Sequence, residues 1–118
     1  MAGMTDHDER RLRQRAATGD PDALDDLIAL AVERGDLNEL RRLSDAGNSD
    51  AAAHLIELAG ERGDLSELRH LSAQGHSDAT AVLIETAAEQ NNLTELRRLA
   101  AAGNSDATEV LAELTDDD

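Results

Sequence analysis

The sequence contains no Cys, Phe, Trp, Tyr or Lys, and one Pro in 118 residues. Without cysteine there is neither a disulfide framework nor a thiolate zinc site. Without aromatics the core has to be built from Leu, Ile, Val and Ala, which cover less area per residue. The stacking platforms of single-strand and RNA readers are missing for the same reason. Cations are scarce as well: 11 Arg face 26 Asp plus Glu, a net charge of −15 that is repelled by nucleic-acid phosphates and anionic membrane. Neither nucleic acid nor membrane is therefore expected as a direct partner. The longest useful apolar run, Leu27 to Val32, falls far short of the roughly 20 residues that span a bilayer. Met1 to Arg15 lacks the apolar stretch of a signal peptide, and Gly3 is not in the second position that myristoylation requires, so a cytoplasmic location is expected.

What the sequence has is a repeat. Segments beginning at Gly35, Gly63 and Asn91 align without a gap at a spacing of 28 residues, reading GDLNELRRLSDAGNSDAAAHLIELAGER, GDLSELRHLSAQGHSDATAVLIETAAEQ and NNLTELRRLAAAGNSDATEVLAELTDDD. His7 to Arg34 is a more diverged copy, with Leu12, Gly19, Asp22, Ala23, Leu27 and Ile28 in matching columns. Four copies, 7–34, 35–62, 63–90 and 91–118, form a single expected repeat domain, with residues 1–6 as a disordered leader.

Each copy reads as two short helices. Helix A opens on Asp36, Asp64 or Asn92, with Glu39, Glu67 or Glu95 three residues later, the spacing of a reciprocal capping box. Leu37, Leu40 and Leu43 give it an apolar stripe, and Gly47 ends it. Helix B follows at once. Pro21 in the column of Ser49 marks the first helical position, which makes Asp20, Asn48 and Asn104 the caps and His76 the poor cap of the set. Ala51, Leu55, Ile56 and Ala59 form its stripe, and Gly63, or Asn91 in the next copy, closes it. The end copies are edited toward water: Glu9 and Arg15 stand in the Leu columns of 37 and 43, and Ala112, Thr115 and Asp116 replace Ile56, Ala59 and Gly60. The fold class expected is all-α, a solenoid of four stacked helix-turn-helix hairpins, about eight short helices, in a right-handed superhelix.

The residues Glu39-Leu40-Arg41-Arg42-Leu43, Ala46-Gly47-Asn48, Asp50-Ala51 and Glu61-Arg62-Gly63-Asp64-Leu65, with their copies, resemble the tetratricopeptide-like superfamily of helical-hairpin solenoids. More narrowly, the pattern is similar to short hairpin arrays of actinobacterial proteins. The resemblance covers residues 7–118 and implies a surface that holds proteins or peptides. The period is 28 and not 34, and the aromatic and Pro signature of tetratricopeptide repeats is absent, so no binding residue of the family carries over.

With Leu40 facing the core, position 41 falls on the flank of helix A and 42 faces outward. Arg13, Arg41, Arg69 and Arg97 then form a ladder with steps of about 8–10 Å, and Arg42, His70 and Arg98 extend it outward. The bland reading is a structural column, its acids supplied by Asp22, Asp50, Asp78 and Asp106, although an acid in a first helical turn also suits the helix dipole. The functional reading is a groove for an acidic or carboxylate-bearing segment, because the guanidinium fork matches a carboxylate. Helix B carries an acidic face, Glu57 and Glu61, Glu85 and Glu89, Glu113 and Asp117, which either is solvated surface or mimics a polyanion for a basic partner. No catalytic motif is present, and His7, His54, His70 and His76 are too scattered for a metal site. The expectation is a non-catalytic binding scaffold without cofactor or metal, monomeric or weakly self-associating.

Overall fold

The structure, a computed structural model, describes residues 6–116. Among these residues there are eight helices and no strand: α1 (Asp6–Ala17), α2 (Pro21–Arg34), α3 (Leu37–Asp45), α4 (Ser49–Arg62), α5 (Leu65–Ala73), α6 (Ser77–Glu89), α7 (Leu93–Ala101) and α8 (Ser105–Thr115). Asp6, expected in the leader, is the first residue of α1; the rest of that segment and Asp117 lie outside the described residues. The chain divides into two compact units, Met1–Leu55 and Ile56–Asp118, with the division inside α4. In the first unit α2 packs against α1 and α3; in the second, α6 packs against α5, α7 and α8.

Helix ends follow the cap residues. The side chain of Asp36 accepts from the Glu39 amide at 3.1 Å, and Asp64 and Asn92 do the same for Glu67 and Glu95 at 3.0 Å. Asp20, Asn48 and Asn104 cap α2, α4 and α8, whereas His76 makes no side-chain bond to the start of α6. At the C-termini one left-handed residue reverses the chain. Gly63 at φ +67 lets the Asp64 amide reach back to the Ala59 carbonyl at 2.9 Å, and Asn91 at φ +54 closes α6 the same way through Asn92 and Ala87. Gly63 has a second constraint: a Cβ there would come within 2.7 Å of Gln90 Nε2, which donates to the Gly63 carbonyl.

The core is leucine against alanine. Leu40, Leu55, Leu68, Leu71, Leu83 and Leu96 are fully covered, each contributing on the order of 2 kcal/mol by area removed from water. Ala23, Ala51, Ala79 and Ala107, one column of helix B, are all completely buried, so helix backbones approach closely where an aromatic-free sequence has no bulk to offer. Gly60 takes this furthest, since a Cβ would sit 2.8 Å from Val82 Cγ1. Leu37, expected in the core stripe with Leu40 and Leu43, is only half-buried at the first position of α3.

The end copies meet solvent as their edits require. Arg15 pairs with Asp20 at 3.0 Å, and Glu9 accepts from both Arg13 and Arg34. Ala112, Thr115 and Asp116 are exposed, as is Leu114.

Candidate functional site

The arginines of helix A meet acids, but not those of the aspartate column. Asp22, Asp50, Asp78 and Asp106 are exposed in the first turns of α2, α4, α6 and α8, where they suit the helix dipole and make no ion pair among the described residues. The acid that answers Arg13 is Glu39, 26 residues on, at 2.9 Å; the acid that answers Arg69 is Glu95, at the same offset and 2.7 Å. Each glutamate also holds the outer arginine of its own helix. Arg42 pairs with Glu39 and Arg98 with Glu95, one turn apart on α3 and α7.

These glutamates were expected to turn back onto the amide of the cap residue, and they do not. The Asp36 amide is already bonded to Ala31 O at 2.8 Å, closing α2, and the Asn92 amide to Ala87 O at 2.8 Å, closing α6. With that donor engaged, only half of the capping box forms, and the carboxylate is left for guanidinium groups. The result is an acid between two arginines, buried at Glu95 and half-buried at Glu39. Burial pushes the Glu95 carboxyl up, but the hydrogen bonds from Arg69 and then Arg98 outweigh it and hold it below the usual range. Glu39 is likewise pushed up by burial and brought down further by Arg42 and Arg13. Glu67 occupies the same column and is also buried.

The remaining predicted residues fall as follows. Arg41 is half-buried and donates to Asn38 Oδ1 at 3.1 Å. His70 and Arg97 are exposed, and neither has an ion pair among the described residues. The candidate-site side chains that the sequence pattern assigned only to helix capping are Glu39 and Glu95. Their signal was present as the constant offset of 26 residues after an arginine, hidden because each also fits the cap.

A cleft opens beside each arginine pair. In the first unit one of about 360 Å³ is lined by Arg13, Ala16, Ala17, Leu24, Leu27, Arg42, Leu43 and Ala46. In the second unit one of about 390 Å³ includes Arg69, Ser72, Ala73, Thr80, Arg98, Leu99 and Ala102 in its lining. Seven of the eight positions in the first cleft recur in the second, two repeat lengths later, so this is one design built twice. The differences are local: Ala16 and Leu24 become Ser72 and Thr80, whose hydroxyls hydrogen-bond to each other.

In the second cleft the donors can be accounted for atom by atom. Arg69 places Nε and Nη2 on Glu95 Oε1, and Arg98 places Nε and Nη2 on Oε2. Both Nη1 groups are left without a protein acceptor among the described residues, on side chains 46% and 49% exposed. Such an arrangement has donors that can meet an anion through charge-assisted hydrogen bonds. No protein-family model, curated protein or solved structure matches the chain.

Proposed function

We propose that the chain is a non-catalytic protein- or peptide-binding scaffold whose helix A face takes an acidic segment. The observation that carries this reading is that Arg69 and Arg98, whose Nη1 groups have no protein acceptor among the described residues, both line one cleft. Each guanidinium is oriented by a buried carboxylate, so less side-chain freedom is lost when an anion arrives. Ladder member Arg97 lies exposed on the same helix as Arg98 and adds positive potential. The test is fluorescence anisotropy of a labelled polyglutamate-containing peptide against wild type and an Arg42→Glu, Arg98→Glu variant of equal helicity by circular dichroism. Binding that disappears in the variant supports the reading; binding that is absent in wild type, or unchanged in the variant, overturns it.

The second reading, a polyanion mimic that occupies a basic partner, draws on a different observation. Glu57, Glu61, Glu85, Glu89 and Glu113 are all exposed and carry no ion pair among the described residues. Glu57→Lys with Glu85→Lys would abolish capture of a labelled polyarginine peptide under this reading and leave the polyglutamate peptide unaffected.

A further inference from the structure

The two clefts repeat each other, and their charges can be compared. In the second, two guanidinium cations, Arg69 and Arg98, surround one carboxylate, Glu95, which leaves a single positive charge. At the first, the ion-pair network joins the lining residues Arg13 and Arg42 to Glu39, Glu9 and Arg34, and again one positive charge is left. Such a site is balanced by one carboxylate, whereas a phosphorylated side chain brings roughly −1.5 to −2 and would bring uncompensated charge up to the buried glutamate. Besides these charges the lining includes Ala17, Leu43 and Ala46 in one cleft and Ala73, Leu99 and Ala102 in the other, side chains that add no charge of their own.

Resting on the acid-binding reading above, we infer that the chain carries two separate single-carboxylate sites, one in each unit, and that each selects an acidic side chain over a phosphorylated one. The buried glutamate sets this selectivity without touching the ligand. It fixes both guanidinium groups and cancels one of their two charges. Removing that carboxylate while keeping its shape changes the preference of its own cleft and not of the other. The two sites are also independent in their donors, because no arginine is shared between them.

The experiment is a ¹⁵N NMR titration of the full chain with three capped pentapeptides, Ala-Ala-Glu-Ala-Ala and its Gln and phosphoserine counterparts, reading the amides of Ala46 and Ala102 as reporters of the two clefts. With a single charge-assisted contact, Kd is expected on the order of millimolar. Both reporters respond to the Glu peptide, more weakly to phosphoserine and not to Gln. Arg98→Gln removes the response at Ala102 and spares Ala46; Arg42→Gln does the reverse. Glu95→Gln raises the second cleft to two positive charges and moves its preference toward phosphoserine by about tenfold, with Ala46 unchanged. If Glu95→Gln does not fold, Arg98→Lys serves instead: it keeps the charge, loses the fork, and weakens the Glu response at Ala102 alone. Tighter phosphoserine binding by wild type, or loss of both responses on a single substitution, overturns the two-site inference and leaves acid binding standing. No response to either anionic peptide overturns both.

Discussion

Glu39 and Glu95 stand in the same column of the repeat, yet the first unit surrounds its glutamate with help that the second lacks. Arg13 is held by Glu39 and also by Glu9, and Glu9 in turn takes Arg34 at 3.1 Å. In the second unit Leu65 occupies the column of Glu9 and Gln90 the column of Arg34; Gln90 donates to the Gly63 carbonyl, and Glu95 alone answers two arginines. The glutamate side chain is correspondingly 11% exposed in the first case and 5% in the second. One motif thus exists in two forms. As part of a surface network it is redundant, and as a lone buried hub every contact depends on one carboxylate.

The largest expected effect tests how the units cover their apolar faces. Leu71 is fully buried, whereas its column in the first copy is Arg15, about half-exposed and paired with Asp20. Leu71→Ala is expected to cost about 3 kcal/mol in urea denaturation through lost burial and a residual cavity. Arg15→Ala is expected to cost about 0.5 kcal/mol, as for an exposed ion pair. Equal losses would mean that the edited copy depends on its ion pair as much as the interior depends on packing.

Next in size is the contrast between the two hubs. Glu95→Ala releases two arginines that have no second acid among the described residues and is expected to cost about 2 kcal/mol, while Glu39→Ala leaves Arg13 with Glu9 and is expected to cost about 1 kcal/mol. Thermal melts of the two variants side by side decide it, and a larger loss for Glu39→Ala would reverse the comparison.

A smaller gain is expected from supplying α6 with a capping side chain. Asp20 and Asn48 accept amide bonds at the starts of α2 and α4, whereas His76 accepts none at α6. His76→Asn is expected to stabilise by about 0.5–1 kcal/mol, and Asn48→His to destabilise by a similar amount. A null result for both in urea titration would show that the helix closure before each cap, and not the cap side chain, sets the start of helix B.

The smallest effect is a graded response to acid. Glu9 is lowered by Arg34 and then Arg13, Asp20 by Arg15 and then the Ala23 amide, and Glu39 despite burial; in the second unit Glu95 is lowered by Arg69 and Arg98 despite burial. A carboxyl whose folded value is depressed contributes stability that is present above its unfolded value, about 3.9 for Asp and 4.3 for Glu, and lost as pH falls through the folded value. Acidification below about pH 5 should therefore weaken the first unit more. Amide protection at Leu27 should fall ahead of that at Leu83, and the opposite order would contradict the comparison.

The helices and their ends were legible because local chemistry determines them: Asp20, Asn48, Gly63, Asn91 and even the deficient His76 act where the sequence places them. The pairing of the arginines was less legible. Glu39 and Glu95 sit three residues after a cap, where a reciprocal bond is the economical reading, and the competitor for that bond comes from the preceding helix. Whether Ala31 O or Glu39 receives the Asp36 amide depends on the left-handed turn at Gly35, a geometric outcome that no residue spacing declares. The aspartate column failed as a source of counter-charge for a related reason: completeness in sequence says that a position is tolerated everywhere, not that it faces a partner.

The offset of 26 residues within a period of 28 has a bearing on how such a chain can grow. The glutamate 26 residues after Arg13 or Arg69 is carried by the following copy, so that bond is a seam between modules and not a feature inside one. Duplicating or excising one whole module brings the next glutamate back into register with the arginine before the seam. Cutting at any other length leaves an arginine facing a column of the wrong chemistry. The electrostatic seam therefore acts as a length gauge, accepting recombination events that preserve the module and rejecting those that do not.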